Sequence, residues 1–203
     1  MLKVLNLSVA RGGISLLQNV TFEVGCGNAL VLLGPNGIGK TSLMRCIAGL
    51  QTPSLGKIFV PESVAYAAHA DGLKGQLSVL ENLTFWDNIY CGPGPEAALA
   101  TYDLEDLAQR PAATLSAGQK RRLGLARMLV TGCRLWVMDE PTASLDEKNV
   151  ALFCSVLGAH LQGGGAAVLT THIDLELSAD SLDLSQFKTS KKMLSLAFEE
   201  VLE

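Results

Sequence analysis

The 203-residue chain has no apolar run approaching the roughly 18 residues a membrane-spanning helix needs, although 48% of it is hydrophobic. Its apolar runs, such as Ala29 to Leu33 and Leu135 to Met138, are of strand length and suit a parallel sheet covered on both faces. Positive charge is not in excess either. A net charge of −4 and a pI near 5.4 leave no electrostatic footprint for nucleic acid. The five cysteines (Cys26, Cys46, Cys91, Cys133, Cys154) form no C-x-x-C pair, which excludes the usual zinc, redox and haem-attachment motifs and fits a reduced cytosolic compartment. Met1 to Leu7 alternates like a strand and lacks the apolar core of an export signal. Internal repeats and long low-complexity segments are absent, and the length suits one well-packed domain with at most a subdomain.

Leu2 to Leu7, Val20 to Val24 and Ala29 to Leu33 read as strands separated by Gly-rich turns, and Ser42 to Leu50 as a helix ended by Gly49 and Pro53. Lys57 to Val60 and Val64 to Ala67 read as further strands. From about Ser78 to Leu107 the pattern turns helical, with Ser78 and Glu81 forming a capping box and Gly92-Pro93-Gly94-Pro95 breaking the run. A helix from Ser116 to about Val130, a strand from Leu135 to Met138, a helix from Glu147 to Leu161 and a strand from Ala166 to Thr170 follow. The whole reads as an α/β core with a helical insertion. Residues Lys188 to Glu203 read as an amphipathic helix, and His160 as a surface residue.

Three phosphate-handling pieces appear in order. Gly34-Pro35-Asn36-Gly37-Ile38-Gly39-Lys40-Thr41, followed by Ser42, lies between a strand and a helix and has the form of a complete phosphate loop. Its glycines let backbone N–H groups turn inward around a β-phosphate, Lys40 reaches the β/γ oxygens, and the Thr41 hydroxyl ligates magnesium. A chance match in this length is on the order of 1%. Leu135 to Met138 then leads into Asp139 and Glu140 at the carboxyl end of a buried strand, where open α/β sheets bind ligands. Asp139 is expected to hold magnesium and Glu140 to polarise the attacking water. Taken alone the pair is an ordinary strand-end acidic pair; the phosphate loop upstream and Pro141 to Asp146 immediately after it favour the catalytic reading. Between these pieces stands Leu115-Ser116-Ala117-Gly118-Gln119, opening a helix.

With these three pieces the chain resembles the ATP-binding cassette ATPases from about Leu2 to Leu184, Ala117 standing where that family more often has Gly. The resemblance implies the P-loop NTPase core of ABC ATPase type, with a small antiparallel β subdomain and a helical insertion. It divides the chain into a nucleotide-binding α/β core (1–70 and 131–187), a helical subdomain carrying the signature (71–130) and a tail (188–203). It implies ATP and Mg2+ as ligands and a second copy of the chain, Ser116, Gly118 and Gln119 serving nucleotide held by the opposite protomer. A helix N-terminus is a ready anion site, which makes that role physically sensible. His172, after the strand ending at Thr170, matches the family's switch histidine, which hydrogen-bonds the γ-phosphate and helps position the attacking water.

Two departures stand out. Where the family usually places Gln after the strand ending at Ala67, this chain has Ala68-His69. Imidazole is a poor direct ligand for magnesium, so His69 is expected to act through water or the partner subunit, the alternative being an ordinary hydrogen-bonded loop histidine. The family also stacks an aromatic ring on adenine from the loop after the first strand, and here Val9-Ala10-Arg11-Gly12 offers none. Arg11 either stacks its planar guanidinium on the base or is a solvated turn residue.

Glu81-Asn82-Leu83-Thr84-Phe85-Trp86, His69, the run Leu115 to Arg127 and Thr171-His172-Ile173-Asp174-Leu175 together look like the haem exporter ATP-binding subunits of bacterial cytochrome c maturation. Phe85, Trp86 and Tyr90 otherwise simply pack the insertion. That resemblance implies an ATPase at the cytoplasmic face of the bacterial inner membrane, held peripherally by integral membrane subunits of the cytochrome c maturation complex, with hydrolysis coupled to haem export or release of the haem-loaded chaperone. No direct haem binding and no nucleic acid partner are expected. A transporter ATPase for another substrate, or a soluble non-transport cassette, are the alternatives.

Overall fold

The computed structural model describes residues 1–61, 63–173 and 178–189. β1 (Leu2–Arg11) and β2 (Ile14–Val24) form an antiparallel hairpin around Gly12 and Gly13, whose φ values of 57° and 80° suit the left-handed turn that joins twisted strands. Both strands run longer than the alternation predicts. Register shifts interrupt the pairing between Val4 and Leu7 and between Leu7 and Val9, and Asn6 and Asn19 take positive φ, so the sequence reads as shorter pieces.

β3 (Ala29–Leu33) runs through the phosphate loop into α1 (Lys40–Ile47). β4 (Leu55–Phe59) pairs with β1, completing a three-stranded antiparallel sheet in the order β2-β1-β4. β5 (Val64–Ala67), β6 (Leu135–Asp139), β7 (Ala166–Thr170) and β8 (Asp180–Asp183) join β3 in a parallel sheet ordered β5-β6-β7-β3-β8. β8 was not foreseen: Asp180, Ser181 and Asp183 have weak strand preference, and an edge position against β3 supplies the pairing.

Strand alternation explains why this sheet is buried on both faces. Leu30, Leu32, Leu135, Val137, Ala166 and Val168 point into a core shared with α1 and the antiparallel sheet. Ala29, Trp136, Met138, Ala167 and Leu169 point into the opposite core, against the helices. Each fully buried aliphatic side chain contributes about 1.5–3 kcal/mol.

The helical insertion resolves into α2 (Val79–Tyr90), α3 (Glu96–Thr101) and a 3₁₀ turn (Glu105–Leu107) rather than one run. Ser78 caps α2, accepting from Glu81 N–H at 3.1 Å while Glu81 accepts from Ser78 N–H at 2.7 Å. The break has a packing cause, since a Cβ at Gly92 would lie 1.8 Å from the Val130 carbonyl oxygen. α4 (Ala117–Val130) starts from Ser116 with a second capping box, through Gln119, and α5 (Glu147–Gln162) starts from Asp146.

His160 on α5 is half-buried rather than a surface residue. Its ring stacks on Trp136 at 3.8 Å with planes 10° apart, and a Cβ at Gly165 would meet that ring. Burial holds the imidazole below its ordinary pKa. Of the helix expected from Lys188, only Lys188 and Thr189 are described, and they lie extended along β2, Thr189 donating its N–H to Leu16 O at 3.2 Å. The remainder, like Asp174 and Leu175, lies outside the described residues.

Candidate functional site

The carboxyl ends of β3, β5, β6 and β7 deliver the phosphate loop, His69, Asp139 with Glu140, and His172 to one cavity of about 660 Å³, whose far wall is the β1–β2 hairpin. This is the edge at which open parallel sheets present ligand-binding loops. Asn36, Gly37, Gly39, Lys40, Thr41 and Ser42 line it directly. Gly34, Pro35 and Ile38 do not line it: Pro35 is exposed, the Ile38 side chain is buried in the core against Gly34, and the Ile38 N–H is already donated to Pro35 O at 3.3 Å. Gly39 takes φ 118°, a conformation that favours glycine, and a Cβ there would come within 3.2 Å of the Leu16 and Leu17 side chains, so the loop and β2 approach closely.

Asp139 is 4% exposed, and both carboxylate oxygens are oriented. Oδ2 accepts from the Thr41 hydroxyl at 2.7 Å and Oδ1 from the Thr170 hydroxyl at 2.9 Å. Adjacent oxygen ligands around magnesium at 2.0–2.1 Å stand about 2.9 Å apart, so the Thr41 and Asp139 oxygens fit a magnesium ion that draws its other ligands from phosphate and water. Lys40 Nζ turns back on its own loop, donating to Gly34 O at 2.6 Å and Pro35 O at 3.4 Å.

Glu140 has a left-handed backbone, φ 52°, which costs a non-glycine residue about 1–2 kcal/mol. Its two flanking peptide groups are both held: its N–H donates to Thr170 Oγ1 at 2.9 Å, and its carbonyl accepts from the Arg121 guanidinium. The side chain then reaches the cavity, with Oε1 3.1 Å from His172 Nε2. His172 is 65% exposed and Glu140 19%, so the pair sits at the cavity mouth where a water can reach it.

His69 is exposed and lines the same cavity. Arg11 lines it too, paired across the hairpin with Ile14, and with Leu16 these make an aliphatic and cationic wall without an aromatic ring. Ser116, Gly118 and Gln119 do not line the cavity. They form the α4 N-terminus, where Ser116 Oγ accepts from Gln119 N–H at 3.3 Å and Gln119 Oε1 from Ser116 N–H at 2.9 Å. Sequence reasoning missed Thr170, Ile14, Leu16 and Arg121. A hydroxyl ending a buried strand beside the acidic pair was a signal for Thr170; no local pattern marked the others.

The ABC transporter family profile matches residues 17–143. The chain is 58% identical over 190 residues to the cytochrome c biogenesis ATP-binding export protein CcmA of Rhodobacter capsulatus, covering 93% of this chain and 89% of that one. It is 55% identical over 193 residues to the protein of the same name from Paracoccus denitrificans, covering 94% and 92%. In fold it is similar to a dimeric ATP-binding cassette solved in a post-hydrolysis state with ADP and phosphate, at 23% identity and a TM-score of 0.76, covering 85% and 88%. The chain belongs to the ABC transporter family, alongside the cytochrome c biogenesis ATP-binding export proteins.

Proposed function

We propose that the chain is the ATP-hydrolysing subunit of an ABC transporter complex for cytochrome c biogenesis, its hydrolysis driving haem export or release of a haem-loaded chaperone. The observation that carries the chemistry is the convergence of the Thr41–Asp139 oxygens and the Glu140–His172 pair on the cavity lined by the phosphate loop. The similarity to the export proteins of Rhodobacter capsulatus and Paracoccus denitrificans supports the biological setting.

In this reading the loop N–H groups and Lys40, released from Gly34 and Pro35, grip the β- and γ-phosphates, while Thr41 and Asp139 hold magnesium. Bound magnesium supplies charge neutralisation at the phosphate oxygens. Glu140 takes the proton of an in-line water, and His172 holds that carboxylate in place and meets the γ-phosphate. Catalysis here is mostly positioning and charge stabilisation. His69, exposed on the cavity wall, acts through water or the partner subunit. Ser116, Gly118 and Gln119 do not line their own cavity, which supports their serving nucleotide bound to a second copy.

No helix among the described residues is long and apolar enough to cross a membrane. Residence at the cytoplasmic face of the bacterial inner membrane then comes from integral partner subunits. The exposed Phe85 and Ile89 on α2, with Lys74 over the Phe85 ring at 4.6 Å, give such partners an apolar foothold. Purification of the tagged chain from detergent-solubilised membranes tests the proposal. Recovery of integral cytochrome-maturation subunits supports it, and a chain that elutes alone with full ATPase activity contradicts it.

A further inference from the structure

We propose that Arg121 is a positioning residue that sets the Glu140 carboxylate by locking the turn carrying Glu140 to the loop carrying His69. The inference rests on the reading of Glu140 as the group that activates water.

The Arg121 side chain is 5% exposed and does not line the nucleotide cavity. Its guanidinium is nevertheless fully engaged. Nε donates to Pro141 O at 2.9 Å, and Nη2 donates to Glu140 O and, at 3.5 Å, to Asp139 O. On the other side Nη1 donates to Asp71 Oδ1 at 2.9 Å, to Ala68 O at 3.3 Å and to His69 O at 3.4 Å. One buried cation therefore draws acceptors from two segments far apart in sequence, both of which end in cavity-lining side chains. A buried charge held by one carboxylate and several carbonyls is costly to misplace, so the two segments are tied to a single geometry.

The surroundings are built for this contact. A Cβ at Gly124 would lie 3.0 Å from Asp71 Oδ1, so glycine on α4 is what lets the Asp71 carboxylate settle beside Arg121. Arg127, further along α4, donates to Gly72 O at 3.3 Å and holds the far end of the same loop. Glu140 itself sits at φ 52°, and a strained residue keeps that backbone only while both flanking peptides are restrained. Thr170 restrains one and Arg121 the other. Lysine cannot substitute, because a compact ammonium with three donors does not span both segments as a planar fork does.

The test uses the full chain, with steady-state ATPase kinetics and thermal melting for Arg121→Lys, Asp71→Asn and Glu140→Gln. Arg121→Lys is expected to lower kcat roughly 10- to 100-fold, as a misplacement of order 1 Å does. KM for ATP stays within about 2-fold, since the phosphate loop is not among its contacts. Asp71→Asn, which keeps the guanidinium and its carbonyl contacts, shows the same split at smaller size and decides the matter if Arg121→Lys fails to fold. In a Glu140→Gln background Arg121→Lys adds almost nothing, because both changes act through one carboxylate. The proposal is overturned if folded Arg121→Lys and Asp71→Asn keep wild-type kcat, or if the Arg121→Lys loss multiplies with that of Glu140→Gln. Normal turnover by Glu140→Gln alone would instead overturn the underlying reading of Glu140.

Discussion

Single side chains at this site are held by contacts that leave them little freedom. The Asp139 carboxylate is spoken for at both oxygens by Thr41 and Thr170, and the peptides on either side of Glu140 by Thr170 and Arg121, so the acidic pair reaches the cavity in one arrangement. On the proposed mechanism, replacing Glu140 by Gln keeps the shape and removes the proton acceptor. Steady-state ATPase assays are expected to show at least a 100-fold loss, about 2.7 kcal/mol of barrier, with nucleotide binding retained. The far wall poses a different question, because Arg11, Ile14 and Leu16 stand where the family commonly supplies a ring. Ile14→Ala should raise the KM for ATP several-fold by removing apolar contact worth about 1 kcal/mol or more. If Arg11→Ala leaves KM unchanged, Arg11 is a solvated turn residue and the wall is aliphatic alone.

Among the elements, those with strong periodicity or complete caps were the ones legible from residue patterns. Strand Ala29–Leu33 and strand Val64–Ala67 were read with the observed ends, the capping box at Ser78 marked the start of α2, and the run Leu115 to Gln119 marked that of α4. What escaped depended on partners distant in sequence. β8 is a strand because β3 offers an edge, and Arg121 is buried because Asp71, the carbonyls of Ala68 and His69 and those of the Asp139–Glu140–Pro141 turn surround it. His160 escaped for the same reason, its place being set by Trp136 and Gly165. Because burial lowers the His160 pKa below its ordinary value near 6.5, the unfolded chain takes up this proton first as pH falls. Stability is therefore unaffected by this group above that value and declines as pH drops through and below it, towards the folded-state pKa. His160→Phe, which keeps a ring on Trp136, should flatten the fall in unfolding free energy between about pH 7 and pH 5 measured by urea denaturation. An unchanged slope would mean that His160 does not sense burial.

At the scale of the whole molecule, the proposed function gives one chain two halves of different sites. Its cavity gathers the phosphate loop, Asp139, Glu140 and His172, while Ser116 and Gly118 at the start of α4 stand outside it. The phosphate loop and the signature were legible because each is a contiguous run of residues. That the signature lies outside its own cavity was implied only by resemblance until the fold placed α4. A pair of copies related by two-fold symmetry would complete both sites at once. The most direct test mixes two inactive chains in equal amounts, Lys40→Ala, which spoils its own phosphate loop, and Gly118→Asp, which spoils the signature. If the signature acts in trans, half of the pairs are mixed and each has one intact site, so ATPase activity returns to roughly a quarter of wild type. A mixture as inactive as either chain alone would show that each chain completes its own site, contradicting the account.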